Sequence, residues 1–146
     1  MPTNQARLMT DFVSQIKIVP SSQHAVFDTL SDLNHLNKIE SLIPSEKIRD
    51  ISYDRDTVSF RVDMPGVGEM SLRIVEREPD NTIKMVTDKS PIPFTFWVQL
   101  KEKDSVSSFL KLTLRADLPF MLKGMLSKPL QEGIDKLADG LAAWTY

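Results

Sequence analysis

The chain of 146 residues is 41% hydrophobic and 26% charged, the balance of an ordinary folded domain and not of a disordered segment. Its 18 Lys and Arg against 20 Asp and Glu leave a formal charge of -2, without the basic excess with which nucleic-acid binders hold phosphates, so no nucleic-acid partner is expected. Having no cysteine, it can form no disulfide, thiolate metal site or cysteine nucleophile.

Met1–Met9 lacks the basic start and apolar run of a secretory signal. No stretch approaches the roughly 20 apolar residues of a membrane span. The expectation is a cytoplasmic protein without a transmembrane segment, made of a loose polar tail over residues 1–8 and one domain over 9–146.

Phe12, Ile16 and Ile18 set against Asp11, Gln15 and Lys17 predict a first strand ending at Pro20. Ser21 and Ser22 offer an N-cap to a helix burying Val26, Phe27 and Leu30. Ser31 and Asp32 open a second short helix with Leu33, Leu36 and Ile39, which stops before Pro44. Short strands follow. Lys47–Tyr53 places Ile51 and Tyr53 on one face and turns through Asp54, Arg55 and Asp56, after which Val58, Phe60 and Val62 alternate with polar residues. The turn Met64–Gly68 leads to Met70, Leu72 and Ile74, and Glu78–Asn81 leads to Ile83 and Met85. Ser90–Pro93 precedes Phe94, Phe96, Val98 and Leu100, and Lys103–Ser105 precedes Leu110, Leu112, Leu114 and Ala116. Strands joined by such short turns predict an antiparallel meander. Four-residue connections set Arg77 opposite Thr82, Arg73 opposite Val86, Lys89 opposite Phe94 and Val86 opposite Trp97, keeping the apolar positions on one face.

Pro119–Tyr146 changes period. Leu130, Ile134, Leu137 and Leu141 recur at helical spacing with Ala138 beside them, and Gln131, Glu132, Asp135, Lys136 and Asp139 fall opposite. Pro119 suits a first turn, whereas Pro129 either kinks the helix or marks a break capped by Ser127. Gly124, Gly133 and Gly140 each cost a helix about 1 kcal/mol against Ala, so tertiary packing must hold it. The predicted class is α+β: a curved antiparallel sheet of about seven strands around a long C-terminal helix, with two short helices after the first strand.

This order, with the stretches SLRIVEREPDNTIKMV, SPIPFTFWVQLKE and SKPLQEGIDKLADGLAA, resembles the helix-grip fold of the START and birch-pollen-allergen superfamily, SRPBCC. It is similar to small bacterial members of the polyketide cyclase or dehydrase kind, over nearly the whole chain from Met9. The resemblance implies a cavity between sheet and last helix for a lipid-like, polyketide-like or other small hydrophobic molecule. It implies no shared catalytic residue and no cofactor.

Alternation assigns Tyr53, Val58, Phe60, Val62, Met70, Leu72 and Ile74 to the inner sheet face, with Ile83, Met85, Phe96, Val98, Leu112 and Leu114. The helix adds Leu122, Met125, Leu126 and Leu130. Such a surface suits an apolar ligand with few fixed polar contacts, and Met70, Met85 and Met125 can remould around it. The same residues would also fill a solid core, and the resemblance favours the cavity. Tyr53 is the polar group that could anchor a ligand, or steer a reactive chain in a cyclase-type enzyme. Glu76 and Glu102 share the inward parity but stand beside turns, where solvation explains a carboxylate. His24 and His35 lie about 16 Å apart even on one unbroken helix, so they cannot share a metal ion, and no metal site is expected. Gly66 and Gly68 lead into a strand and not a helix, which argues against a phosphate cradle. Outside, Arg61, Arg73, Lys84, Lys101, Lys111 and Arg115 make the sheet basic. Among them Val75, Val86, Trp97 and Phe109 form an apolar cluster, with Phe109 diagonal to Trp97, suited to a homodimer or to a protein partner of the chaperone-cofactor kind.

Overall fold

The computed structural model describes residues 7–40, 48–64 and 67–146. Its strands are β1 (Arg7–Val13), β2 (Lys17–Val19), β3 (Ile48–Tyr53), β4 (Thr57–Val62), β5 (Gly68–Glu78), β6 (Thr82–Lys89), β7 (Phe94–Asp104) and β8 (Ser107–Pro119). Helix α1 (Gln23–Leu30), a 3-10 turn (Leu33–His35) and α2 (Leu36–Ile39) separate β2 from β3, and α3 (Phe120–Ala143) follows β8. The sheet is antiparallel and open, in the order β1-β8-β7-β6-β5-β4-β3, with the short β2 also on β8. The meander and the class are those expected. Backbone pairing begins at Arg7, opposite Pro119, so the sheet takes in two residues of the expected tail. Residues 1–6, Pro44, Lys47 and the Pro65-Gly66 turn lie outside the described residues.

Local chemistry fixes the connections. Asp54 Oδ1 accepts from the backbone N–H groups of Asp56 (2.9 Å) and Thr57 (2.8 Å) and from Thr57 Oγ1, closing the β3–β4 turn. Asp104 does the same for β7–β8 through Val106 N–H and Ser107 Oγ. These bonds hold both carboxyls below the usual carboxylate range. Ser22 Oγ caps α1 by accepting from Ala25 N–H at 3.2 Å, and Asp32 caps the 3-10 turn through Asn34 N–H.

Three registers differ from those expected, and further irregularities fall between Arg49 and Ser52, at Ser71–Leu72 and between Glu102 and Asp104. Phe12 pairs with Leu114 but Lys17 pairs with Leu110, so one extra residue is inserted between β1 and β2. Ser14 bridges the irregularity, its N–H donating to Leu112 O and its Oγ accepting from Leu112 N–H, both at 2.9 Å. The insertion flips the parity: Val19 is buried, and Ile16 and Ile18 face out, opposite to the expected alternation. On β5, Ile74 pairs with Met85 and Glu76 with Lys84, leaving Val75 as the extra residue. Glu76 therefore joins Val75 outside, and Arg77 turns inward opposite Ile83 and not Thr82. Between β6 and β7 the pairing is Met85 with Phe96 and Lys84 with Trp97, two residues from the expected register. The shift is even, so the inner series stays inside. Its cause is a wider connection, in which Ile92 tucks into the core and Thr87 Oγ1 accepts from Phe94 N–H.

β8 passes into α3 without a loop at Pro119, which occupies the N-cap position. The helix is continuous through Pro129. Ser127 Oγ donates to Lys123 O at 2.6 Å, a bond within the preceding turn, so it caps no second helix. α3 lies on β8, β1 and β2, burying Leu126, Ile134, Ala138 and Leu141. Lys17 Nζ meets Asp139 at 2.7 Å, and Gln131 Nε2 donates to Val13 O at 3.0 Å, which satisfies a carbonyl at the end of β1.

Candidate functional site

The inner face is apolar strand by strand. Charged side chains at its described strand positions are Arg77 and, at an exposed strand end, Glu102. Arg77 is spent on structure: Nε donates to Ser31 O at 2.8 Å, and Nη2 reaches Asp56 Oδ1 at 2.6 Å and Arg55 O at 3.3 Å. It thereby ties the end of α1 and the β3–β4 turn to β5. Among the described residues no cluster of His, Asp or Glu could hold a metal ion.

Burial divides this face in two. Along β8, Leu110, Leu112 and Leu118 are 0% exposed, and Leu126 in the second turn of α3 is 1%. A side chain with no accessible surface lines no space that water can enter, so this part is solid core. Val58, Met70, Leu72, Ile74, Met85, Val98 and Leu114 are also buried but keep a little accessible surface. Where β8 becomes α3, Ala116 and Leu118 are sealed, but on the strands away from β8 the inner face is less covered: Phe60, Val62, Phe94 and Phe96 are half-buried, as is Leu122 of the helix above. The register explains why these share one end. Phe94 pairs with Ala116, four residues before α3 begins at Phe120, and Phe60 pairs with Met70 near the start of β5. Tyr53 is half-buried on the edge strand β3, opposite Val58.

The structure thus brings the predicted residues onto one face, with Met125 the exception. That side chain is 54% exposed, because it lies on the outer side of α3. Phe94 belongs with the half-covered group and was readable from its strand parity. Glu76 and Glu102 are both exposed, and the β5 irregularity puts Glu76 on the other face, so these two do not form an inner carboxylate pair. His24 Nδ1 meets Asp80 Oδ1 at 2.8 Å on the surface, and this carboxylate raises the imidazole above its ordinary range. His35 is half-buried and donates from Nδ1 to Thr29 O at 2.9 Å, a structural bond.

On the outer face, Trp97 lies between Lys84 Nζ at 5.9 Å and the Arg115 guanidinium at 5.5 Å from its ring centre. Phe109 pairs instead with Ile18 and Lys101, four positions along β8 from Thr113, which pairs with Trp97. The two rings therefore do not form the diagonal pair expected of them. A recess of about 260 Å³ opens between β3 and β6 and is lined by Ser52, Ser59, Phe60, Arg61, Met70, Ser71 and Lys89, with Glu69 and Asp50 against Arg61. Its charged and hydroxyl groups are outward side chains, and Phe60 and Met70 of the apolar inner series also line it.

A curved, unclosed antiparallel sheet that receives a long C-terminal helix defines a helix-grip protein. No protein-family model matches the chain, and no curated protein matches it in sequence. Solved structures match it in shape. Norcoclaurine synthase from Thalictrum flavum, determined with dopamine and hydroxybenzaldehyde, gives a TM-score of 0.70 at 12% identity over 97% of this chain and 89% of that one. Mll3558 from Rhizobium loti gives 0.69 at 18% identity over 94% and 97%, and a START superfamily protein from Mycobacterium smegmatis gives 0.57 at 12% over 91% and 98%. The chain has the START and birch-pollen-allergen-like fold of the SRPBCC proteins.

Proposed function

We propose that the chain binds a small apolar molecule, lipid-like, polyketide-like or polycyclic, at the end of the inner face where β8 runs into α3. The observation that carries this reading is the division of one apolar face into a sealed part and a half-covered aromatic part. Phe60, Val62, Phe94, Phe96, Leu122 and Tyr53 offer surface to a guest, and Met70, Leu72, Ile74, Met85, Val58, Val98 and Leu114 form the floor beneath them. Leu112 and Leu126 stand behind that floor and make no contact. Binding is driven by burial at about 25 cal/mol per Å² of apolar surface, so a guest needs no charged partner. The fold shared with a START superfamily protein, and with an enzyme determined with two aromatic compounds, supports a small organic ligand.

Binding is favoured over catalysis of the cyclase or dehydrase kind. Among the described residues the face holds no acid and base pair, and its one well-placed cation, Arg77, is already bonded to the fold. A reaction there would fall to the Tyr53 hydroxyl. We place the binder in the cytoplasm, in keeping with a cysteine-free composition. Native mass spectrometry of protein purified from cells is the test. A co-purifying apolar mass that is lost in Phe96→Asp, with folding intact by circular dichroism, is expected; a wild type that carries no mass and quenches no apolar fluorescent probe refutes the reading.

A further inference from the structure

The exposed side of α3 changes character along its length. Between residues 120 and 128 the exposed positions are Phe120, Met121, Gly124, Met125 and Lys128. At 100° per residue these five fall within an arc of about 140°, a single face turned away from the sheet. Phe120 is 66% exposed, Met121 87% and Met125 54%. From Glu132 onward the exposed residues include Lys136 and Asp139, the charged pattern of a solvated helix. Large apolar side chains grouped at one end of a helix are not what solvation alone selects.

From the structure we infer that this first part of α3 is a docking face for an anionic lipid surface. Three features select a bilayer as the occupant. The apolar side chains are long, unbranched or aromatic and unsupported by neighbours, which suits shallow insertion between headgroups. The charges within this segment are cations: no Asp or Glu occurs between Asp117 and Glu132, and Lys123 and Lys128 both fall there. Lys128 meets Glu132 only at 4.0 Å, with both side chains exposed, and remains available to a phosphate. Gly124 has nothing within 4 Å of where a Cβ would stand, so the face is low at its centre and can lie flat on a surface. This face sits at the end of the molecule where Phe94, Phe96 and Leu122 are half-covered. Docking there would bring the mouth of the proposed site to the lipid, from which an apolar guest could enter without crossing water. That purpose rests on the proposed function, whereas docking itself is measured without it.

The test is flotation of the full chain with vesicles of phosphatidylcholine alone or mixed with phosphatidylglycerol, alongside uptake of a fluorescent fatty acid in vesicle-free buffer. Wild type is expected to float with the anionic vesicles and poorly with the neutral ones, and to be released by high salt. Met121→Glu and Phe120→Glu should each lower the bound fraction about tenfold or more, and Lys128→Glu by roughly tenfold. All three positions are exposed, so the fold and fatty-acid uptake should not change. Equal flotation of Met121→Glu and wild type, or no flotation of wild type, overturns docking even if uptake is normal. Size-exclusion chromatography in which Met121→Glu turns a wild-type dimer into a monomer also overturns it, by making this face a contact between copies. A wild type that floats but takes up no fatty acid supports docking and removes the proposed pocket instead.

Discussion

Phe60 and Phe96 distinguish a ligand surface from a core, and the comparison with Leu112 gives the sharpest test. A half-buried phenylalanine that leaves about a quarter of a ~200 Å² side chain for a guest to cover offers about 50 Å², or ~1.3 kcal/mol at ~25 cal/mol per Å². Truncation to alanine should weaken binding close to tenfold at each position. The two residues lie on β4 and β7, separated in the sheet by β5 and β6, so the double variant should lose roughly a hundredfold if their effects add. Leu112→Ala behaves in the opposite way. Its side chain is 0% exposed, so its loss should cost about 2–5 kcal/mol of stability. For a domain of this size that is a fall in Tm of several degrees per kcal/mol. Binding to the folded fraction should change less than about threefold. Fluorescence titration with an apolar probe gives Kd, and thermal unfolding followed by circular dichroism gives Tm. If Leu112→Ala abolished binding at a temperature where it is folded, or if Phe60→Ala and Phe96→Ala left Kd unchanged, the guest would have to sit elsewhere.

Other consequences are separately measurable. His24 is raised by Asp80, so the pair contributes fully below the unfolded histidine value and its contribution fades as pH rises through the higher folded value; NMR titration of the imidazole should show a pKa above 6.5 that returns toward 6.5 in Asp80→Asn. Arg77→Met should cost about 1.5–3 kcal/mol in urea unfolding, because it leaves Ser31 O without its charged donor and Asp56 with the longer Arg55 contact at 3.6 Å. Pro129→Ala restores a helical N–H inside α3 and should raise Tm, by about 1–3 kcal/mol of stability; no gain would mean the helix depends on the proline ring. Trp97→Lys should leave probe uptake unchanged, and a later elution on size exclusion would identify Trp97 as part of a contact between copies.

The architecture was legible in the sequence because burial imposes a period: two for the strands from Val58 to Ala116, and 3.6 for Leu130 to Leu141. The turns were legible because Asp54 and Asp104 carry their own chemistry. The insertion at Ser14–Lys17 and the extra residue at Val75 were not. A bulge leaves apolar residues on both sides in an acceptable alternation, and the sequence does not say where the phase slips. Glu76 and Arg77 exchanged faces for that reason alone. The shift of two between β6 and β7 was hidden for a different reason: an even shift keeps every inner residue inside, so hydrophobic pattern cannot detect it. It changes partners on both faces, setting Lys84 and not Val86 beside Trp97 outside, and Ile83 and not Met85 beside Val98 inside.

The functional contrast follows from where α3 sits. A helix laid across the whole concave side would seal every inner residue equally. α3 packs instead on β8, β1 and β2, and α1 closes β6, β7 and β8 near Ile83 and Leu110. What neither helix seals is the stretch around Phe60, Phe94 and Phe96, and aromatic rings left half-covered there are costly unless something else covers them. Filling that end without a ligand tests the point. Val62→Phe adds an aromatic ring to a half-buried position beside Phe60's strand partner Met70, and Val62 pairs with Gly68, which has no side chain to clash. If the space is kept for a guest, the larger residue should raise Tm by a few degrees and weaken probe binding at least tenfold together. If Val62→Phe destabilises the fold and leaves binding unchanged, that end is already full and the proposed site is wrong.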